Sequence, residues 1–163
     1  MIVVADTSVL LNLTLVGQVQ LLQQLFGSVC IPEAVRREFE RLSASAGRFS
    51  GLELPEWIQI HEVRDLSTAE SMNKLLDPGE TEAICLALEM KAFAVLMDES
   101  EGRSVARSHG LQTIGILGIL LESKRQGHLT AIKPVIESLL NKAKFRLAAA
   151  LVKQALRDCG EME

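Results

Sequence analysis

The sequence predicts an α/β fold in which a parallel central sheet is flanked by helices. Short apolar runs, such as residues 2–5 and 93–98, are typical of buried strands, because both faces of a parallel sheet are covered. Segments with helical periodicity separate these runs, and this alternation indicates a doubly wound sheet. The length of 163 residues, 48% of them hydrophobic, suits one domain spanning residues 1–163 with its own core.

The elements are expected in a regular order along the chain. Strands are predicted at residues 2–5, 27–31, 57–63, 93–98 and 112–114, and helices at 9–26, 32–42, 77–90, 100–109, 115–126, 132–142 and 147–158. Gly17 should interrupt the first helical pattern, and Pro32 suits the first turn of a helix. The C-terminal helix, about 147–158, carries one apolar stripe for packing on the domain or on a partner: Leu147, Ala148, Leu151, Ala155 and Leu156.

Cysteine usage and hydropathy indicate a cytoplasmic protein. Cys30, Cys85 and Cys159 are far apart, no Cys-x-x-Cys pair occurs, and the three histidines are scattered. A structural zinc site or a disulfide framework is therefore not expected, and a reducing compartment fits best. The N-terminal apolar run is too short for a signal peptide or a membrane span, so no membrane partner is expected.

Charge is distributed unevenly along the chain. Residues 1–99 contain 7 Lys or Arg and 15 Asp or Glu, whereas residues 100–163 contain 10 and 6. An acidic half suits cations and a basic half suits phosphate, although ordinary surface scatter explains the same numbers. The chain has no Tyr and one Trp, so an aromatic platform for stacking single-stranded bases is not expected.

Acidic residues follow two of the predicted strands. Asp6 follows the first strand, and Asp98 and Glu99 follow the run at residues 93–98. In open parallel sheets, ligands bind outside the carboxyl ends of the strands, so these carboxylates should face one rim. The alternative is that Asp6 and Asp98 are helix N-caps, with Glu101 completing a capping box with Asp98.

Glu38 lies at the edge of a predicted buried stripe formed by Val35, Phe39 and Leu42. A carboxylate there is costly unless it is paired or bound to a metal. The alternative is an ion pair with a neighbouring cation such as Arg41, or an extended side chain that reaches solvent.

Glu80 and Glu82 begin a helix that is apolar almost all round. Glu80 should point inward in its first turn, although a capping box with Asp77 explains that placement equally well. Several carboxylates on one rim would repel each other unless cations lie among them. Oxygen ligands without Cys or His suit Mg²⁺ or Mn²⁺, which activate water for phosphodiester cleavage. We therefore expect Asp6, Glu80 and Asp98 within one coordination shell, with Glu38 reaching the same cavity.

Several short motifs in this order resemble the PIN domain over residues 2–160. They are Ala5-Asp6-Thr7-Ser8 after a strand, Ile31-Pro32 followed by Val35 and Glu38, Gly79-Glu80-Thr81-Glu82-Ala83-Ile84 opening a helix, and Leu96-Met97-Asp98-Glu99 ending a strand. The closer match is a PIN-like family of uncharacterised prokaryotic proteins whose helix opens Gly-Glu-x-x-Ala-Ile. The resemblance implies a Rossmann-like sheet and a Mg²⁺- or Mn²⁺-dependent ribonuclease. The chain also resembles the toxins of type II toxin–antitoxin pairs. This resemblance implies a homodimer and a small antitoxin protein as partner.

The resemblance assigns the catalytic and metal-binding roles to four acids. Asp6, Glu38, Glu80 and Asp98 match the four PIN acids, and Ser8, Glu82 and Glu99 are accessory. The third PIN acid is commonly Asp, so Glu80 departs from the pattern and Glu82 stays an alternative ligand. Arg103 and Arg107 are expected to steer the RNA backbone, or else to form a solvated helix face.

Other function classes remain as alternatives. A non-catalytic PIN-like module would bind RNA or a protein without cutting. An aspartyl-phosphate phosphotransferase would use Asp6 as nucleophile, but its Asp-x-Asp pattern is replaced here by Asp6-Thr7-Ser8. A dinucleotide-binding protein is disfavoured, because no Gly-x-Gly-x-x-Gly follows a strand.

Overall fold

A sheet of five parallel strands forms the centre of the computed structural model, which describes residues 1–162. The strands are β1 (Ile2–Ala5), β2 (Ser28–Pro32), β3 (Gln59–His61), β4 (Ala94–Leu96) and β5 (Thr113–Ile114). The helices are α1 (Thr7–Leu15), α2 (Gln20–Phe26), α3 (Glu33–Ala44), α4 (Ala69–Met72), α5 (Pro78–Met90), α6 (Ser100–Ser108), α7 (Ile116–Arg125), α8 (Lys133–Asn141) and α9 (Ala149–Asp158). The α/β fold with a parallel sheet flanked by helices is confirmed.

The strand order is β3-β2-β1-β4-β5, and each neighbouring pair is parallel. β1 lies in the middle, with β2 on one side and β4 on the other, so the order of the strands reverses there. The register places Ala5 of β1 beside Leu96 of β4. The residues that follow these two strands therefore emerge at the same edge of the sheet, where ligands bind in folds of this type.

Alternate residues of each central strand enter two separate cores. Val3 and Ala5 pack with α1, α2, α7 and α8 on one face, whereas Val4 packs with α5 and α6 on the other. β4 divides in the same way, with Leu96 on the first face and Val95 on the second. Because both faces are covered, the strands are apolar throughout rather than alternating with polar residues.

Most boundaries lie within a few residues of those predicted. Gly17 interrupts the first helical segment with a φ of 74°, a left-handed conformation that favours glycine. Pro32 ends β2 and serves as the N-cap of α3, so it lies just before the first turn rather than in it. The strands at residues 57–63 and 93–98 are shorter than expected. α4 was not predicted, because its four residues are too few to show periodicity.

The C-terminal helix α9 packs on the domain with part of its apolar stripe. Ala155 and Leu156 are buried in the core beside α7, whereas Leu151 is 61% exposed. Glu161 fixes the end of this segment, because its carboxylate accepts hydrogen bonds from the backbone of Ile132 at 2.8 Å and from Nζ of Lys124 at 2.9 Å. The stripe is thus divided between the core and an exposed surface.

None of the helices in residues 1–162 is by itself long and apolar enough to cross a membrane. α1 and α2 pass that test only together, by length and composition, and they are bent by 118° relative to each other.

Candidate active site

An acidic cavity of about 230 Å³ lies at the carboxyl end of β1, beside the first turns of α5 and α6. Eight residues line it. Six of them are acidic, Asp6, Glu38, Asp77, Glu80, Glu99 and Glu101, and the other two are Thr7 and Ser8. Glu38, Glu80 and Asp6 therefore share this cavity with the accessory residues Ser8 and Glu99. Among the described residues no Lys or Arg lines it, so its negative charge is not neutralised by a cationic side chain of the cavity wall.

Asp6 stands at the bottom of the acidic cavity and is only 2% exposed. Its carboxylate accepts a hydrogen bond from the backbone N–H of Val9 at 3.1 Å, so it is also the N-cap of α1. Burial raises the pKa of Asp6 well above its ordinary value, and the charges of Asp98 and Glu80 raise it further. Asp6 therefore caps α1, as the alternative prediction held, and the same carboxyl group also has a strongly raised pKa.

Glu80 enters the cavity from the first turn of α5. Asp77 is the N-cap of this helix and accepts from the backbone N–H of Glu80 at 2.8 Å. Burial raises the pKa of Glu80 to about 7, assisted by a hydrogen bond between its carboxyl group and that of Asp77 and by the charge of Asp77. The helix start thus holds Glu80 where it can bind a proton or a cation near neutral pH.

Asp98 follows β4 and caps a different helix from the one expected. Its Oδ1 accepts from the backbone N–H of Ile116, the first residue of α7, at 3.1 Å. The N-cap of α6 is Glu99, so the proposed capping box of Asp98 with Glu101 is wrong. Burial raises the pKa of Asp98 to about 6, although the Ile116 N–H and the charge of Arg103 oppose that change.

Two glycines leave the space that these carboxylates occupy. A Cβ atom at Gly102, in α6, would lie 2.7 Å from Oε2 of Glu80 and 2.5 Å from Sδ of Met97. A Cβ atom at Gly115 would lie 2.7 Å from Oδ1 of Asp98. Sequence reasoning did not assign Gly102 to the site. Its signal was a glycine inside a helix, where glycine is unfavourable without a packing reason.

One buried hydroxyl group of the acidic cavity, Oγ1 of Thr7, has no hydrogen-bond partner within residues 1–162. Ser8 also lines it, but its hydroxyl accepts from Nδ2 of Asn12 at 3.2 Å, and no hydrogen bond within the described chain joins it to Asp6. Unpaired buried hydroxyls are unusual in proteins, so the Thr7 hydroxyl suits a polar ligand in the cavity. Thr7 was not among the predicted site residues.

Glu38 and Glu82 occupy different places. Glu38 lines the acidic cavity, and within residues 1–162 it forms no ion pair with Arg41 or another cation. Oε1 of Glu82 instead accepts from the backbone N–H of Ala34 at 3.3 Å, at the N-terminus of α3. The Glu82 carboxylate thus has a structural contact that its sequence position did not reveal, because Ala34 lies 48 residues away in the chain.

A larger groove of about 990 Å³ adjoins the acidic cavity, and Ser8 and Glu99 line both. Asp98 and Arg103 lie in this groove together with three more cations from distant parts of the chain: Arg48, Lys144 and Arg146. Arg107 lies outside it and donates through Nε to Oγ1 of Thr113 at 3.1 Å. The two arginines predicted together are therefore in different surroundings.

The donor chemistry of the site fits a divalent cation, although the side chains do not converge on one point. Within residues 1–162, no group of three or more His, Cys, Asp or Glu side chains is placed to hold one ion. The expectation that Asp6, Glu80 and Asp98 share one coordination shell is therefore not met by this arrangement. Because like charges repel, the carboxylates of Asp6 and Asp98 accept hydrogen bonds from backbone N–H groups instead. The raised pKa values, the unpaired Thr7 hydroxyl and the hard oxygen donors nevertheless suit Mg²⁺ or Mn²⁺.

Comparison with protein families assigns the chain to a known family. A family model described as a PIN domain matches residues 2–161, and the chain belongs to this family. PIN domains are generally nucleases that use divalent metal ions, so the family indicates a hydrolase of nuclease type. Comparison with curated proteins and with solved structures gave no match.

Proposed function

We propose that this protein is a divalent-metal-dependent ribonuclease. The observation that carries the proposal is the acidic cavity at the carboxyl edge of the sheet, with Asp98 in the groove that adjoins it. Burial raises the pKa values of Asp6, Glu80 and Asp98, and neighbouring carboxylates raise them further. These groups are costly to the fold when they are ionised without a counter-charge. A bound metal ion would supply the missing counter-charge, and the same carboxylates would then serve as its ligands.

In this proposal the side chains of Asp6, Glu80 and Asp98 would rearrange to hold Mg²⁺ or Mn²⁺ when the ion binds, and Glu38 would hold the ion or its water. The bound ion would supply an activated water molecule and stabilise charge on the phosphate. Ser8 and Glu99 lie at the border between the cavity and the groove, where the Ser8 hydroxyl accepts from Nδ2 of Asn12. Arg103, beside Asp98, attracts the substrate phosphate and limits the pKa of that carboxyl group.

The test is cleavage of labelled single-stranded RNA, duplex RNA and single-stranded DNA by the purified protein. Each substrate is incubated with Mg²⁺, Mn²⁺ or EDTA, and Asp6→Asn is the matched control. We expect metal-dependent cleavage of single-stranded RNA and none by the variant. RNA binding without cleavage under every metal condition would overturn the proposal and favour a non-catalytic binding module.

The proposal extends to a role as the toxin of a toxin–antitoxin pair, acting as a homodimer that a small antitoxin protein inhibits. Its support is the resemblance to such toxins and the presence of exposed apolar side chains, including Leu66 at 50% and Leu75 at 60%. Light scattering at micromolar concentration tests the dimer. Growth after induction of the wild type and of Asp98→Asn tests toxicity, which should require the intact acid.

A further inference from the structure

We infer that the groove beside the acidic cavity is the binding site for single-stranded RNA, with its phosphates on Arg48, Lys144 and Arg146. This inference rests on the proposed function for its substrate class. The three residues come from two distant segments of the sequence, which meet only in the folded chain. None of them was predicted to bind RNA from the sequence.

The charge of the groove is opposite to that of the acidic cavity. Four cations line the groove, Arg48, Arg103, Lys144 and Arg146, against the two acids Asp98 and Glu99. Within residues 1–162, none of Arg48, Lys144 and Arg146 forms an ion pair with a carboxylate, and all three are exposed. Exposed cations without counter-ions on a concave surface favour a polyanionic ligand.

Part of the groove lining is apolar. Leu117, Leu147 and Leu151 line it, and Leu151 is 61% exposed, although Ala155 and Leu156 of the same helix are buried. A strand of RNA presents phosphates along one side and bases along the other. A groove with both cationic and apolar lining therefore matches a single strand better than a duplex, whose bases are stacked inside.

The groove leads to the proposed catalytic acids. Ser8 and Glu99 line both the groove and the acidic cavity, and Asp98 lies in the groove itself. A strand bound along the groove would thus pass the border where Asp98 and Glu99 stand. This continuity distinguishes the groove from a basic patch elsewhere on the surface.

The test measures binding of a short fluorescent single-stranded RNA by anisotropy in EDTA, over a range of salt concentrations. The triple variant R48Q/K144Q/R146Q removes the proposed phosphate-binding cations. Its matched control, R37Q/R64Q/K153Q, removes three exposed cations outside the groove with the same change in net charge. We expect the groove variant to bind about tenfold more weakly or worse, and its salt slope to fall by about 0.7 for each phosphate that is no longer neutralised. The control should keep both values close to those of the wild type.

A second variant separates the apolar packing from the charges. Leu151→Ser should weaken binding about fivefold without changing the salt slope, because it removes apolar burial and leaves the phosphate-binding cations in place. Since Leu151 is exposed, this substitution should leave thermal unfolding unchanged. Equal loss of affinity in the two triple variants, or no RNA binding by the wild type, would overturn the inference.

Cleavage assays on the same proteins distinguish this inference from the proposed function. RNA binding that needs the groove cations, without cleavage by the wild type in Mn²⁺, would contradict the nuclease and support the groove. Cleavage by the wild type with an unchanged KM in R48Q/K144Q/R146Q would support the nuclease and contradict the groove.

Discussion

Asp6 and Asp98 stand one and two residues beyond the ends of neighbouring parallel strands, and the charge of Asp98 raises the pKa of Asp6. The backbone N–H of Asp6 also donates to the carbonyl of Leu96 at 3.0 Å, which joins the two strand ends directly. The same hydrogen-bonded register that builds the sheet therefore brings two carboxyl groups together at its edge. Two buried carboxyl groups placed together are costly to stability, although in the proposed function the same two groups bind the metal ion.

Two substitutions at Asp6 separate its charge from its capping bond. Asn retains an oxygen that accepts from the Val9 N–H, whereas Ala does not. Without metal, Asp6→Asn should be as stable as the wild type or more stable, because a buried charge is removed. Asp6→Ala should lose about 1 kcal/mol relative to Asn, the usual contribution of an N-cap. Urea unfolding measures both, and a marked destabilisation by Asn would show that the charge itself stabilises the fold.

Stability without metal should fall as pH rises. A carboxyl group whose pKa is raised in the folded state binds its proton more tightly there than in the unfolded chain, so it favours folding at low pH. That contribution is lost as pH rises through the folded pKa, about 6 for Asp98 and about 7 for Glu80. In EDTA we expect the free energy of unfolding to fall by an amount of order 2 kcal/mol between about pH 4 and pH 8.

The double variant E80Q/D98N should reduce this pH dependence and leave the part that Asp6 contributes, whereas Glu137→Gln, on the exposed side of α8, should leave it unchanged. A free energy of unfolding that rises with pH in the wild type over this range would contradict the assigned burial of the two carboxyls.

Gly102 should be required for metal binding although it donates no ligand. Ala at this position would put its Cβ 2.7 Å from Oε2 of Glu80 and displace that carboxyl group. We expect Gly102→Ala to weaken Mn²⁺ binding roughly tenfold or more, as changes around metal ligands commonly do. The measurement is the increase in melting temperature with added Mn²⁺.

Gly118→Ala is the matched control for Gly102→Ala. It places the same substitution in α7, where the new Cβ would meet only Cγ2 of Ile114 at 3.3 Å. Its response to Mn²⁺ should equal that of the wild type. An equal loss in both variants would mean that helix rigidity, rather than the space around Glu80, affects the ion.

Glu80, not Glu82, should be the third acidic ligand. Glu80 lies in the acidic cavity, whereas Glu82 accepts from the Ala34 backbone at 3.3 Å. Calorimetric titration with Mn²⁺ should show heat of binding abolished in Glu80→Gln and preserved in Glu82→Gln. The reverse result would exchange their roles.

The sequence predicted the alternation of strands and helices and the positions of the acids at strand ends, because both follow from local patterns and from the geometry of parallel sheets. Contacts between distant segments were not predictable in this way. The bond from Asp98 to α7 rather than α6, and that from Glu82 to α3, depend on how the helices pack. The groove cations Arg48 and Arg146 are likewise brought together only by tertiary structure.

The rate of single-strand RNA cleavage at increasing Mn²⁺ concentration, compared between the wild type and Asp98→Asn, tests the central claim most directly. The Asn side chain can still accept from the Ile116 N–H, so the variant should remain folded while it loses a metal-binding charge. We predict cleavage by the wild type that saturates with Mn²⁺ and stops in EDTA, and a rate in the variant lower by roughly 100-fold or more. Cleavage that persists in EDTA, or a folded Asp98→Asn variant within a few-fold of the wild-type rate, would contradict it.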